Sequence, residues 1–581
     1  MPPSSKASRL TKFQTVFIAN LRMPRNRFSI FPSNRVLLAA LAAMMLPCAG
    51  ALAQVRRTDT TIGPSTLEVI QLYRPEVKLP PKQQLSPVLP QPDTSAPTVK
   101  LDVPKQTLSY SYRAIPIRPL ALGQDTAKQP AESYVQLGLG NLSSVLAEAG
   151  YTGAQGSYYR PAVQLRHLSQ RSDKRAEGQQ SALTSLLGSL AWDGPVNRWR
   201  ATLAASRNQY RYYGYDQVLY ALDADTLKQT FLGARAGLEL SRPGSAVLAG
   251  WQATPAVHLG YYGDVHGAAE PSLWIDAPFT KNLSSTVQAH AGIAVRGARF
   301  SNDDTSRWNN LAQAFAGLAW RKKLWSAAAE VRPSVGMNGR LDVLPRISAT
   351  YEIAPLKAAA TLGWTASVRQ NTYEELSTMN PFMSNAYAPR QTRTNEVYAG
   401  VKTAGGKHLS VDGKLSFWQY RNLPLFVNQF YGEHKRFDVV YDNIQALAVQ
   451  AGARYAIGTQ LNLGASGLFQ AWFNQKTYAR PWHVPAVVVK VDAAWRPLKP
   501  LLFTAYASVQ DGIWARNPIN GLSNKLDAVV DIGLGGEYAV VPRLSLFIKT
   551  QNLLGARNER WLGYEGYGLN VIGGARYEFA R

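Results

Sequence analysis

The sequence contains one cysteine and no long uninterrupted apolar run. Cys48 lies within an N-terminal segment that has the features of an export leader, so the mature chain is expected to hold no cysteine. Disulfides, thiol catalysis and zinc-cysteine sites are therefore excluded. No apolar stretch reaches the roughly 18 to 20 residues that a membrane-spanning helix needs. Any membrane span must then consist of β-strands.

Motifs for catalysis and metal binding are also missing. No two histidines stand at the His-x-His or His-x-x-x-His spacing of metal ligands. There is no nucleophile elbow, no P-loop and no dinucleotide-binding fingerprint. The sequence therefore predicts no cofactor, no metal site and no enzymatic activity. The histidines are His167, His258, His266, His290, His408, His434 and His483.

From about Glu132 to Arg581 the sequence repeats one unit. Segments of roughly ten residues alternate apolar and polar side chains, and each is followed by a connection and another such segment. In the last segment, 569–579, the odd-numbered residues are apolar or small and most even-numbered ones are polar. One face suits lipid and the other suits water. This pattern predicts an all-β fold, a transmembrane antiparallel β-barrel of about 22 strands.

The predicted connections alternate between short and long. Outer-membrane barrels have tight periplasmic turns and long external loops, so the alternation predicts an even strand count and two periplasmic termini. Short turns are expected at 193–195, 242–244, 321–323, 354–355, 405–406, 458–459, 496–500 and 541–542. Long loops are expected near 170–182, 208–228, 300–308, 372–391, 421–436, 512–525 and 553–568.

The first 53 residues are expected to be a signal peptide. Three arginines between positions 25 and 35 precede an apolar stretch at 36–46, and Ala51-Leu52-Ala53 forms an A-x-A cleavage site before Gln54. Met23 is an alternative start, because the preceding residues add nothing that a signal peptide needs. A lipoprotein anchored through Cys48 is disfavoured, because a proline precedes that cysteine where a small residue is expected.

Residues 54–131 form a different kind of chain. They hold twelve of the 35 prolines, which predicts an extended, largely irregular periplasmic segment. Two stretches, 67–70 and 108–112, could pair as strands or bind a partner by β-augmentation.

The net charge of +25 does not indicate a nucleic-acid-binding protein. Seven basic residues lie in the leader, which holds no acidic residue, so removing it lowers the charge by seven to +18. The remaining basic residues are spread along the repeats and form no recognisable binding module. On a barrel they are expected to line the lumen or to face the phosphates of lipopolysaccharide at the outer rim.

Aromatic residues gather near the predicted ends of strands. Such positions fit interfacial girdles or loop packing, and a sugar-stacking platform is the alternative for the tyrosines. The tyrosines are Tyr210, Tyr212, Tyr213, Tyr215 and Tyr220, and the tryptophans beside short turns are Trp192, Trp199, Trp320 and Trp325.

Several of these segments resemble a known family. Together they resemble the barrel of TonB-dependent receptor-like proteins of Gram-negative outer membranes, over nearly all of 132–581. The segments are Tyr134–Asn141, Asn380-Pro381-Phe382, Val397–Lys402, Asn422–Asn428, Phe437–Asn443, Gln551–Leu554 and Gly574–Phe579.

The resemblance implies a TonB-like periplasmic partner and insertion by the barrel-assembly machinery. Tyr577 and Phe579 resemble the terminal aromatic signal that this machinery recognises, although two residues follow them. A full receptor also carries a globular plug before its barrel, and residues 54–131 are too few and too rich in proline for one. We therefore expect a plugless relative. The stretch that resembles a TonB box in position and pattern is Thr66, Leu67, Glu68, Val69 and Ile70.

The leading functional hypothesis is outer-membrane transport of an unidentified solute through a polar lumen. The expected partners are outer-membrane lipid and lipopolysaccharide, the assembly machinery and a periplasmic protein, with no nucleic acid. One alternative is a non-transporting scaffold that anchors a complex through its proline-rich arm. A hydrolase whose catalytic group meets across strands is the third.

Overall fold

The computed structural model describes most of the predicted barrel. The described residues are 133–153, 158–172, 178–194, 197–216, 218–242, 250–406, 408–429, 433 and 435–579. The predicted leader, the proline-rich segment and the TonB-box-like stretch 66–70 lie outside them and stay predictions.

Alternating apolar and polar residues form strands along this whole region. The first are β1 (Ser133–Gly140), β2 (Ser144–Thr152), β3 (Tyr159–Ser172), β4 (Gln179–Asp193), β5 (Arg198–Arg211), β6 (Lys228–Arg242), β7 (Gln252–Ala253), β8 (Ala256–Asp264), β9 (Ala269–Asn282) and β10 (Val287–Ser301). The next are β11 (Ser306–Trp308), β12 (Leu311–Lys322), β13 (Trp325–Val335), β14 (Leu341–Ile353), β15 (Ala358–Gln370), β16 (Gln391–Gly405), β17 (Leu409–Asn428), β18 (Phe437–Ile457) and β19 (Leu461–Phe473). The last are β20 (Val487–Leu498), β21 (Leu501–Asp511), β22 (Trp514–Arg516), β23 (Ser523–Lys525), β24 (Val529–Val541), β25 (Leu544–Gln551), β26 (Glu559–Trp561), β27 (Tyr564–Glu565) and β28 (Asn570–Glu578).

Twenty-two of these strands form one closed antiparallel barrel. Consecutive barrel strands pair with each other, and β1 pairs with β2 on one side and with β28 on the other, which closes the ring. The strands outside the ring are short, namely β7, β11, β22, β23, β26 and β27. A single α-helix, α1 (Tyr373–Met379), and a 3-10 turn (Ala354–Leu356) complete the described secondary structure. The predicted fold class and strand count are confirmed.

The two faces of the barrel differ as the alternation predicts. Leu137, Leu139 and Leu362 leave 59, 70 and 66 % of their surface exposed on the outer face. Their neighbours in sequence point into the lumen, where Gln136 pairs across strands with Glu148 and with Arg576. An apolar outer surface around a polar lumen is the arrangement of a barrel that spans a bilayer. Among the described residues, no helix has the length and apolarity to cross a membrane.

The tryptophans near the short turns lie on this outer face. Trp192 and Trp199 stack with ring centroids 6.3 Å apart. Trp325 packs on Tyr351 with centroids 4.5 Å apart, and 52 % of its surface is exposed. These side chains form the interfacial girdle expected at that end of the barrel.

Most of the predicted turns and loops have the expected lengths, but several connections depart from the alternation. At the long-loop end, 141–143, 265–268 and 336–340 are short, and the loop expected at 170–182 spans only 173–178. The turn expected at 242–244 is wrong in extent, because β6 ends at Arg242 and the next barrel strand, β8, begins at Ala256. Between them β7 adds a short pairing with β9, at Thr280 and Phe279. The loop expected at 421–436 is shorter than predicted, because β17 runs to Asn428 and β18 begins at Phe437.

Candidate functional site

Ion pairs within and between strands line the lumen. The Glu330 carboxylate pairs with the Arg332 guanidinium at 2.9 Å, and its other oxygen lies 3.0 Å from His290 Nε2. The more exposed of these pairs contribute little stability, but together the pairs make the lumen wall polar. Other pairs are Glu148–Arg166 at 2.9 Å, Arg200–Glu239 at 3.2 Å, Arg321–Glu352 at 3.3 Å and Glu396–Lys414. Within the described ranges, no three His, Cys, Asp or Glu side chains converge on a metal site.

The connection 371–390 folds inward from the long-loop end. Its helix α1 begins after Thr372, whose hydroxyl accepts the Glu375 amide at 3.2 Å. Glu374 of the first turn bonds Arg235 at 2.7 Å. Arg235 lies seven residues into β6, about 23 Å along the strand at 3.3 Å per residue. The loop therefore reaches well below the rim and narrows the lumen.

Side chains from the loops and upper strands form an aromatic mouth cluster at this end. Phe382 is central to it, because its ring stacks on Tyr564 at 3.7 Å between centroids and meets Tyr213 edge-on at 6.0 Å. These rings come from connections that are far apart in sequence, so the cluster joins loops across the mouth. The mouth cluster comprises Tyr212, Leu227, Phe231, Tyr262, Ala268, Phe300, Tyr373, Leu376, Phe382, Met383, Tyr387, Phe426, Phe437, Trp561 and Tyr564.

The upper part of the β17–β18 hairpin, which comprises 423–428 and 437–442, contributes to two such clusters. A bulge between Tyr420 and Leu423, with Asn422 at a φ of 56°, shifts the register where the hairpin leaves the barrel wall. Phe426 then joins the mouth cluster. Leu425 and Val427 face a second cluster with Ile444 and Trp482. Residues 425–427 of β17 are therefore buried on both faces.

His483, in connection 474–486, forms hydrogen bonds with three other segments of the chain. Its Nδ1 lies 2.8 Å from the Phe426 carbonyl, and its Nε2 accepts the Leu562 amide at 3.3 Å. Its own amide donates to the Trp514 carbonyl at 2.7 Å. Because Nε2 accepts a hydrogen bond, the ring is neutral with its proton on Nδ1. Burial lowers the pKa of His483 from 6.5 to about 4, which preserves this neutral form.

Asp442 attaches connection 474–486 to the hairpin. Its carboxylate accepts the backbone amides of Lys476, Thr477 and Tyr478 at 3.2, 2.9 and 3.0 Å. Only 2 % of Asp442 is exposed, so these amides replace the water that the charge has lost. These three hydrogen bonds anchor the loop to β18.

The residues singled out from the sequence have separate locations. Tyr212 is 1 % exposed and belongs to the mouth cluster, and Tyr210, Tyr213 and Tyr215 pack against that cluster. Of the two expected roles, girdle or loop packing, these four tyrosines therefore have the second. Tyr577 and Phe579 lie at the opposite end, with ring centroids 5.2 Å apart. The Phe579 amide donates to the Ser133 carbonyl at 2.9 Å across the barrel seam. Their role as an assembly signal stays a prediction.

Sequence reasoning missed the inward helix, the upper hairpin and His483. A signal for the hairpin was present, since Leu423, Leu425 and Val427 alternate with other residues as in a strand. Pro424 and Asn422 favoured a loop instead. His483 carried no local signal, because its partners are 57 and 79 positions away.

No protein-family model and no curated protein matches the sequence. Solved structures do match the barrel. The FrpB iron transporter from Neisseria meningitidis (F3-3 variant) aligns with a TM-score of 0.59 at 9 % identity, over 78 % of this chain and 82 % of its own. The pyoverdine outer membrane receptor FpvA from Pseudomonas aeruginosa PAO1 bound to pyoverdine aligns with a TM-score of 0.57 at 11 % identity, over 78 % of this chain and 79 % of its own.

The chain shares the barrel fold of solved TonB-dependent outer-membrane receptors. The copper transporter OprC aligns with it at a TM-score of 0.56 and 12 % identity, over 78 % of this chain and 81 % of its own. Identities this low establish the fold alone. Within that fold, this chain carries an inward loop and an outer mouth bridged by loop packing.

Proposed function

We propose that this protein is an outer-membrane transporter-like channel, in which a solute crosses a polar lumen whose outer mouth is gated by the loops. The observation that carries this proposal is the mouth cluster, placed above a lumen lined with ion pairs. A protein that served only to anchor other molecules would need neither a hydrated lumen wall nor a loop folded into it. The titles of the structural neighbours name transporters and receptors, which supports the same class.

In this proposal the long-loop end is extracellular and the short turns are periplasmic. The apolar outer face contacts lipid, and the basic residues of the outer rim face lipopolysaccharide. The barrel-assembly machinery inserts the chain, with Tyr577 and Phe579 as its terminal signal. A periplasmic TonB-like protein binds the stretch 66–70.

Conductance in a planar bilayer tests whether ions cross the lumen and whether residues 55–131 occlude it in addition to the loops. We compare the chain from Gln54 with a chain that lacks residues 55–131. If that segment occludes the lumen from the periplasmic side, its removal raises conductance. Equal conductance would count against an occluding role.

The bridged mouth also favours a second candidate, a closed barrel that anchors a periplasmic or surface complex. A stoichiometric partner that co-purifies only when residues 66–78 are present, without solute flux in any variant, would favour this scaffold. Flux through a chain with an opened mouth would argue against it.

A further inference from the structure

A cavity of about 380 Å³ opens in the lumen wall beside the inward loop. This volume falls within the range of small-molecule sites. Its polar lining converges from four strands and α1, and comprises Gln164, Arg166, Ser185, Ser206, Arg235 and Glu374.

Strand register explains why these side chains converge. Arg166 pairs with Ser185, and Ser185 pairs with Ser206, so these three form one row across the lumen wall. Gln164 and Arg235 belong to the adjacent row on the same face, joined through Leu187 and Ala204. Small residues in both rows leave room above the wall, and the longer polar side chains surround it.

The contacts of Arg235 orient its guanidinium toward the cavity. Its guanidinium lies 4.6 Å from the Trp274 ring centroid, and this cation-π contact fixes its direction. Its carboxylate partner is Glu374, at 2.7 Å. The two side chains keep 36 and 38 % of their surface accessible, so a solute can reach both. Arg166, with 56 % of its side chain accessible, also lines the cavity, where its guanidinium pairs with Glu148 at 2.9 Å.

We propose that this cavity binds the carboxylate or phosphate group of a small solute, which replaces Glu374 on Arg235. The inference rests on the proposed transport function and names its substrate class as oxyanions. An arginine fork binds either oxyanion through two parallel hydrogen bonds. Gln164, Ser185 and Ser206 donate to the remaining oxygens.

Replacement of Glu374 by an oxyanion on Arg235 links solute binding to the position of the inward loop. Glu374 stands in the first turn of α1, and its contact with Arg235 is one of several that hold that turn, beside the bonds that the Tyr373 and Glu374 amides donate to Glu270. A bound oxyanion removes the contact and weakens the inward position of residues 371–390. A ligand that competes with one state of a loop shifts the population toward the other state.

Calorimetric titration of the folded chain from Gln54 tests this competition. The probes are citrate and inorganic phosphate at low ionic strength, with glucose as the neutral control. Arg235→Gln should weaken oxyanion binding at least tenfold, and Glu374→Gln should tighten it severalfold because the internal competitor is gone. The matched control is Arg321→Gln, which breaks the lumen pair with Glu352 at a similar exposure, 41 and 40 %, and should leave binding unchanged.

The outcomes separate clearly. Binding of citrate alone identifies a carboxylate site, and binding of phosphate alone identifies a phosphate site. If Arg235→Gln binds like the unaltered chain, or Glu374→Gln binds more weakly, the proposal is overturned. Absence of binding in both the unaltered chain and Glu374→Gln overturns it as well, whereas binding only by Glu374→Gln supports it. Retained heat-modifiable migration on gels shows that each variant is folded.

A second readout follows the loop itself. Thr378 is exposed on α1, and Thr378→Cys places a spin label there, since the only natural cysteine, Cys48, lies in the predicted leader. The oxyanion should increase label mobility, and Arg235→Gln should abolish that increase. Conduction by a chain with an opened mouth but no oxyanion binding would refute this inference and leave the proposed function standing. Oxyanion binding without conduction by any variant would refute the proposed function and leave the oxyanion site standing.

Discussion

Truncation of Phe382 should open the outer mouth without unfolding the barrel. The ring is 8 % exposed and contacts Tyr564, Tyr213 and Tyr210 from two other parts of the mouth. Replacing a buried phenylalanine by alanine costs about 3 to 5 kcal/mol. Phe382 makes these contacts only when the loops are packed, so the cost falls on the closed state. At 1.4 kcal/mol per tenfold change, the closed state loses a factor of about one hundred or more.

The assay is the open probability of single channels of Phe382→Ala in a planar bilayer. We expect frequent long openings and an unchanged melting temperature of the barrel, because no strand pairing is altered. The control is Phe315→Ala, which removes a lumen ring under Arg332 at 4.6 Å, away from the mouth cluster. Equal open probabilities for the two variants, or a large fall in barrel melting temperature for Phe382→Ala, would refute the reasoning.

Three further predictions concern the loops and the outer face. Burial lowers the pKa of His483 from 6.5 to about 4, so the closed loops hold the neutral ring and lose about 3 kcal/mol of stability as the pH falls from 6.5 to 4. The open probability should therefore rise over that pH range, and His483→Asn should remove the rise. Asp442→Ala leaves three amides of 474–486 without their acceptor, so limited proteolysis should cut there faster, and unchanged cleavage would contradict us. Leu362→Arg on the outer face should destabilise the barrel by about 2 to 4 kcal/mol in urea, whereas Thr361→Arg in the lumen should not.

The barrel was predictable because each strand carries its own pattern. In 569–579 the alternation of apolar and polar side chains assigns both faces without reference to any other segment. The same local reasoning located most short turns, where glycine or proline ends a strand. It failed at 242–244, where chain between two prolines, Pro243 and Pro255, adds the short strand β7 to the sheet.

The closed mouth was not predictable, because tertiary contacts between distant loops create it. Tyr213 donates to the Glu565 carbonyl at 2.6 Å across 352 positions, and nothing local to either residue indicates the other. Pro424 and Asn422 locally favour a loop, yet burial on both faces stabilises a strand there. The sequence around Glu374 likewise indicates only a helix, and nothing in it points to Arg235. The inward path of 371–390 brings the two side chains together.

Conductance after removal of the inward loop tests the central claim most directly. Gln370 pairs with Gln391 at the end of the ladder, so a two-residue turn can replace 371–390 without altering the strands. We predict rare openings for the chain from Gln54 and steady large conductance for the loop-deleted chain that also lacks residues 55–131. Steady conductance by the intact chain, or silence of the doubly shortened and correctly folded barrel, would contradict a mouth closed by its own loops.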